Sequence, residues 1–502
     1  MVGVNSFREY LGLLDAHGMV NRIERPVSWN LEASAITMLA NEQDVEIPLF
    51  ESVADTDSIA RLVGDPYRGA GDRPWDKVAL GMGLSPSIGG DEYYDEAISR
   101  LRSPIDPITV PAEQAACKEV VRVGETMSLL SFPWPYIHDG DGGRYSTLHS
   151  FIAPDPNTDG ESWDQHRLMI HGHDRASALL LAGEQIPNNF YYQYAPREEE
   201  MPFAVAIGVE PAVTFASPLW VPTDKTEAQF AGGLKRAPIE LVECETNGLR
   251  VPASAEVVIE GHVRPDRQLD EGPYGDYVGY INGPRRSMPE LQIDAITHRE
   301  DPYIPFCVDG CATGYTFNSN ASLEVACAGP DMTIGLRAGG FDVERVGVWQ
   351  YAEKTMYVFS TDVSEPGYFH EAANFVFTTW GMLHVDFFVF VDGDVDPLDQ
   401  RAVLEAVALH ADPDEDFHQF GVETMPKVPL NIYQTPDEKG DTEPGTSKTR
   451  TAKAYINATR RERATGVEQA IYADDRLAAR ARELLDRAIR SGDGERTEVT
   501  ET

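Results

Sequence analysis

LDEGPYGDYVGY, residues 269–280, and the run ELQIDAITHREDPYIPF, residues 290–306, decide how this chain is read. Two glycines and a proline between Glu271 and Asp276 make a turn rather than a helix, so two carboxylates five residues apart can converge on one pocket. Carboxylates brought together repel, and one of them would then hold its proton toward neutral pH, as a general acid must. A solvated surface turn would use the same residues, and composition alone leaves both readings open.

Working outward, strand-like runs separated by Gly, Pro and Asn-rich turns occupy residues 112–320: 117–123, 202–209, 239–243, 256–259 and 292–297. They predict an all-β or barrel-like core with inserted helices. Ahead of it, an amphipathic helix carries Phe7, Leu11 and Leu14 and ends at Gly18, and residues 30–110 mix short helical and strand patterns as a small α/β domain does. Pro104, Pro107 and Pro111 mark the first boundary. From residue 321 strands such as 387–391 alternate with helices such as 401–410, again an α/β pattern. Asp474 can cap a last helix bearing Leu477, Leu484, Leu485 and Ile489, which packs on its own domain or on a partner subunit, and the polar tail reads as disordered. The expected organisation is 1–111, an N-terminal α/β domain; 112–320, the catalytic domain; 321–490, a C-terminal α/β domain; and 491–502, the tail.

A chain of 502 residues exceeds one hydrophobic core, and 42% hydrophobic residues argue against disorder. Its 42 basic residues against 82 acidic ones leave a net charge of −40, which repels nucleic acid and anionic lipid. Only nine of the basic residues are lysines, and diffuse acidity with scarce lysine fits a halophilic protein whose self-repulsion is screened by salt. Five cysteines at irregular spacings draw no disulfide framework, and Cys307 and Cys311 read as buried thiols rather than a zinc pair. Neither a signal peptide nor an apolar run of membrane-spanning length is recognisable, so the expected compartment is the cytoplasm.

The wider run around the turn resembles the UbiD family of decarboxylases, in which a Glu-Gly-Pro-aromatic-Gly-Asp/Glu turn supplies two of three catalytic residues. LLSFPWPYIHDGDGGRYST at 129–147, IELVECETNGLRVPASAEVVIEG at 239–261 and VFVDGDVDPLDQRAVLEAVALHADPDED at 389–416 agree with it in the family's order. The resemblance implies an α+β or α/β multidomain fold in which a central split β-barrel, the flavin-binding domain, is flanked by N-terminal and C-terminal α/β domains. It also implies non-oxidative, reversible decarboxylation of an α,β-unsaturated or aromatic carboxylic acid on prenylated FMN, supplied by a flavin prenyltransferase, in a homo-oligomer (dimer or hexamer). The matching catalytic set is Arg167, Glu271 and Asp276. Arg167 would hold the substrate carboxylate by a forked pair, Glu271 would orient that arginine, and Asp276 would return a proton to the carbon that lost carbon dioxide. Gln165, His166, Arg167, Glu227 and Lys448 are the implied flavin contacts. A non-catalytic flavin- or ligand-binding homologue is the alternative.

The family holds the flavin phosphate through a divalent metal, typically manganese, and a monovalent cation such as K⁺. The implied ligand positions are Ser162, Gln185 and Glu227, but the family has asparagine at the first and, in some members, histidine at the second. Either this oxygen-rich set binds a harder or weaker ion, or His171 or His173 replaces the lost nitrogen, or no metal is bound. Lys448, Arg450 and Lys453 could meet the flavin phosphate or an anionic substrate, or pair with acids of the same chain. Asp394 and Asp396 read as a loop and helix cap rather than a calcium loop.

Overall fold

The longest strands described, Val257–Glu271 and Arg286–His298, form an antiparallel pair that carries the Glu271 turn at its end. The computed structural model describes residues 2–71, 73–276, 279–281, 285–309, 318–349, 355–363, 365–379, 385–427, 433–435, 449–460 and 475–492. Val257, Val258 and Ile259 are all buried, as a strand covered on both faces requires, whereas Asp266, Arg267, Gln268 and Asp270 farther along the same strand are exposed. Register shifts at Glu260/Gly261 and between Arg264 and Gln268 interrupt the pairing and let the pair bend. The runs 256–259 and 292–297, expected as separate short strands, are therefore segments of these two long ones. In the 117–123 run only Val120–Val123 is strand, because Ala116–Lys118 is a 3₁₀ turn.

These strands are the middle of a nine-stranded sheet curled into a half-barrel. Met201–Ile207, His149–Pro154 and Glu161–Asp164 continue it on one side, and Arg175–Ala178, Leu168–Ile170 and Arg144–Ser146 on the other. Helix Glu227–Lys235 is inserted beside it. Thr226 and Gln229 form its capping box, which fixes Glu227 in the first turn and buries it.

A small sheet built from Val20–Ile23, Ile47–Phe50 and Arg61–Gly64 is completed by Tyr303–Phe306, a strand from far along the chain that pairs in parallel with Arg61–Gly64. Helix Phe7–Ala16 buries Phe7, Leu11 and Leu14 and is capped by Ser6 and His17, and Gly18, with φ of +68°, ends it as expected. Arg8 on this helix forks onto the fully buried Glu256 at 2.9 Å through Nε and through Nη2, and Glu256 also accepts from the Tyr303 amide at 3.0 Å. One carboxylate thus ties the first helix to the strand that completes the first sheet.

The C-terminal sheet runs in the order Arg345–Val348, Met356–Thr361, Phe387–Asp392, Thr449–Asn457, Phe417–Lys427. Strand alternation sorts its side chains: Tyr357, Phe359, Phe388 and Phe390 pack with helices Gly329–Ala338 and Pro366–Thr379, while Val358, Val389 and Val391 pack with Gln400–His410. Asp399 caps the last of these helices, and Asp396 accepts from the Leu398 amide in the preceding loop. Residues 1–459 form one compact unit and residues 460–502 a second, of which helix Asp475–Gly492 is described; Asp474 lies outside the described residues. No described helix is long and apolar enough to cross a membrane.

Candidate active site

Strand Val257–Glu271 delivers Glu271 to a buried position, and the chain then turns through a cis Gly272–Pro273 bond to Tyr274 and Asp276. Residues 138–142 hold the turn from behind. The Gly142 amide donates to the Pro273 carbonyl at 2.7 Å, the Gly275 amide donates to Asp141 Oδ1 at 2.8 Å, and Asp141 Oδ2 accepts from the His138 amide at 2.9 Å. The approach leaves no room for side chains. A Cβ on Gly142 would lie 2.2 Å from the Gly272 carbonyl oxygen, and one on Gly275 2.5 Å from His138 Nδ1.

Arg167, between strands Glu161–Asp164 and Leu168–Ile170, enters this turn. Its Nε and Nη2 donate to the two Glu271 oxygens at 2.8 and 2.9 Å, and its Nη1 donates to Asp276 Oδ2. The guanidinium also stacks over Tyr274 at 4.7 Å, and the Tyr145 hydroxyl donates to Glu271 Oε1 at 3.3 Å. Sequence reading treated the two acids as repelling neighbours, but the structure bridges them with a cation, which changes the electrostatics of the pair. Glu271 is fully buried behind Arg167, whereas Arg167, Tyr274 and Asp276 line a cavity.

The carboxyl beside this turn that is held toward neutral pH is Asp309, which sequence reading missed. Burial, and then the charge of Asp276, push it up to about 6. Its Oδ2 accepts from the Tyr274 hydroxyl at 3.2 Å, and its Oδ1 from Asn320 Nδ2 at 2.6 Å and the Cys307 thiol at 3.4 Å. Nothing in the local sequence VDG signals this role, because it depends on the turn reaching across from residue 274. Cys311 lies outside the described residues.

The cavity measures about 680 Å³, a usual size for a cofactor or substrate site. Gln165, His166, Arg167, Gln185 and Glu227 line it, and Lys448 lies outside the described residues. Ser162 is not among the lining residues: it is buried, with an Oγ that has no hydrogen-bond partner among the described residues. Glu227 is buried and accepts from the Trp163 amide at 3.0 Å. Burial first, and the Asp164 and Asp155 charges after the opposing backbone contacts, push its carboxyl up to about 8. Asp164 and Glu184, which sequence reading did not single out, also line the cavity. For His166, burial opposes the charged ring, but the Asp164 and Glu184 carboxylates outweigh it and raise the imidazole.

His171, His173 and Lys453 are engaged elsewhere. His171 Nε2 is 2.9 Å from Ser177 Oγ and His173 Nδ1 is 2.7 Å from Ser128 Oγ, and neither lines the cavity. They follow strand Leu168–Ile170 rather than alternate along it, so the shared face expected of them does not form. Lys453 is buried, with Nζ donating to the Val385 carbonyl and lying 3.4 Å from Asp386, an internal pair rather than a phosphate contact.

Three family models match: the 3-octaprenyl-4-hydroxybenzoate carboxy-lyase N-terminal domain at residues 11–97, the Rift-related domain at 108–311 and the C-terminal domain at 343–458. Among curated relatives, pyrrole-2-carboxylic acid decarboxylase of Pseudomonas aeruginosa is 29% identical over 440 residues, covering 84% of this chain and 86% of the relative. Ferulic acid decarboxylase 1 of Candida dubliniensis is 30% identical over 324 residues, 62% of this chain and 63% of the relative. Among solved structures, the closed form of Sedimentibacter hydroxybenzoicus vanillic acid decarboxylase superposes with a TM-score of 0.85 at 25% identity, over 96% of this chain and 99% of the other. The prFMN complex of an evolved dimeric form of the UbiD-class enzyme HmfF from Pelotomaculum thermopropionicum gives 0.76 at 26% identity, over 94% and 97%.

Proposed function

From its membership of the UbiD family of carboxy-lyases, to which this chain belongs, we propose that it decarboxylates an α,β-unsaturated or aromatic carboxylic acid with prenylated FMN in the cavity beside Arg167. One observation carries the reading: Arg167 is forked onto the buried Glu271 and touches Asp276 at the cavity wall. The two contacts differ in kind. Glu271 holds Nε and Nη2 as a bidentate, fully buried pair, so it fixes the arginine without touching substrate. Asp276 holds a single nitrogen, Nη1, at the cavity wall.

A substrate carboxylate entering the cavity competes with Asp276 for Nη1. Asp276 is then the acid beside the reacting carbon. The bond to the carboxyl group breaks, carbon dioxide leaves, and the Asp276 proton is delivered to the carbon that retains the electron pair. Prenylated FMN, when bound, supplies the electron sink for that pair. Cavity size and the polar wall of Gln165, His166 and Glu227 fit such a group and its phosphate. A divalent metal, manganese in the family's usual form, and a monovalent cation such as K⁺ belong to the same reading, as do a homo-oligomeric assembly and a flavin prenyltransferase as supplier. Tyr274, held by Asp309 under the guanidinium, keeps Arg167 aimed at the substrate.

The test is production with a flavin prenyltransferase, anaerobic purification in high salt, and an absorbance spectrum beside turnover of candidate acids. Asp276→Asn is expected to retain flavin and lose turnover. Turnover at the parental rate would remove Asp276 as the donor, and folded protein that takes up no flavin would favour the non-catalytic ligand-binding homologue.

A further inference from the structure

We infer that Asp164, His166 and Glu184 form a divalent-cation site in this chain, in place of a set built on Ser162 and Gln185. The inference deepens the proposed function, since it assigns to this chain's own residues the cation that would accompany a flavin phosphate. One donor atom from each of the three side chains lies within 4.8 Å of the others, a spread that one ion can span. His166 is buried at 4% exposure and lines the cavity, and its Nε2 faces the Asp164 carboxylate at 3.2 Å. The Glu184 carboxylate approaches the other ring nitrogen at 3.7 Å.

The shift of ligands follows from local geometry. Side chains two apart on a strand share a face, so Asp164 carries a carboxylate on the same side of strand Glu161–Asp164 as Ser162. Glu184 immediately precedes the helix that begins at Gln185 and supplies a longer acidic arm at the adjacent position. Glu227 lines the same cavity and is anchored to the Trp163 amide, midway between Ser162 and Asp164. Two anionic carboxylates and an imidazole hold a divalent ion such as Mn²⁺ better than the neutral oxygens of serine and glutamine would.

The experiment uses the full chain, stripped with chelator and titrated with Mn²⁺ alone in high salt, which screens the diffuse −40 charge. Electron paramagnetic resonance reads free and bound ion, and ¹⁴N modulation in the pulsed spectrum reads the histidine. We expect one bound Mn²⁺ per chain with nitrogen coupling, an affinity weakened at least about tenfold in Asp164→Asn and in Glu184→Gln, and an affinity within about twofold of the parent in Ser162→Ala and Gln185→Ala. His166→Gln should lose the nitrogen coupling, and circular dichroism identifies any variant that has unfolded. Absence of stoichiometric Mn²⁺ from folded parent, or loss of affinity in the Ser162 and Gln185 variants but not in the Asp164 and Glu184 ones, would overturn the site. FMN uptake is measured separately: Mn²⁺ bound as expected without FMN supports the cation site and removes the flavin reading alone.

Discussion

Replacing Asp309 by asparagine tests the electrostatics of the site without disturbing its shape. Asparagine keeps an oxygen for Asn320, and the Tyr274 hydroxyl can turn to accept from the new amide. The charge is what changes. In the native protein the Asp309 carboxyl is pushed up from 3.8 to about 6, so the folded state keeps a proton that the unfolded chain releases. Stability is therefore lost as pH rises through the window from about 4 to about 6, by roughly 3 kcal/mol in full. Roughly 1 kcal/mol of that falls between about pH 5 and about pH 7.5, where the protein can be compared with its variant. Urea unfolding of both proteins at those two pH values measures the gap. Asp309→Asn should gain on the parent by about 1 kcal/mol from the lower pH to the higher. In an Asp276→Asn background the gain should shrink, because the Asp276 charge is the second cause of the shift. A gap that is flat with pH, or that moves the other way, would refute the placement of a buried, proton-holding carboxyl at this turn.

Other substitutions probe the scaffold of the same site. Gly142→Ala drives a Cβ into the Gly272 carbonyl oxygen, so the turn carrying Glu271 and Asp276 must move; kcat/KM should fall about a hundredfold while flavin content is kept, and a full-rate variant would contradict the close packing. Arg167→Lys replaces a fork that serves two carboxylates by a single point charge, and steady-state kinetics should record a loss of turnover even where flavin content is unchanged. Glu256→Gln uncouples a buried carboxylate from Arg8, which is part-exposed and keeps Asp301, and should cost roughly 1 kcal/mol in denaturant unfolding, with no change expected in the absorbance of bound flavin.

The parts of the fold that local pattern controls were legible from residue types. Phe7, Leu11 and Leu14 mark a helix because their spacing matches the helical period, and all three are buried. The turn after Glu271 is marked by its glycines and proline, and the structure brings Arg167, Glu271 and Asp276 together there. What depends on distant partners was not legible. The two long strands carry register shifts and a polar half, which break the alternation a sequence reader follows. That a guanidinium would lie between the two carboxylates, and that Asp309 would meet the Tyr274 hydroxyl, follows from contacts between segments 35 or more residues apart. Asp164 and Glu184 were passed over because in so acidic a chain a single carboxylate carries no local signal, and only the fold brings them to one imidazole.

The parallel pairing of Tyr303–Phe306 with Arg61–Gly64 has a consequence for how the protein is made. The edge of the first sheet waits for a segment that leaves the ribosome about 240 residues later, which at roughly 5–20 residues per second is a delay of roughly 10–50 seconds. Throughout that interval Arg61–Gly64 is a sheet edge without its final neighbour, and such an edge pairs readily with other chains. Nascent chains of this protein therefore have an early period in which a chaperone would guard the amino-terminal segment, and in cells where translation is slowed the yield of folded protein should fall before its activity per molecule does.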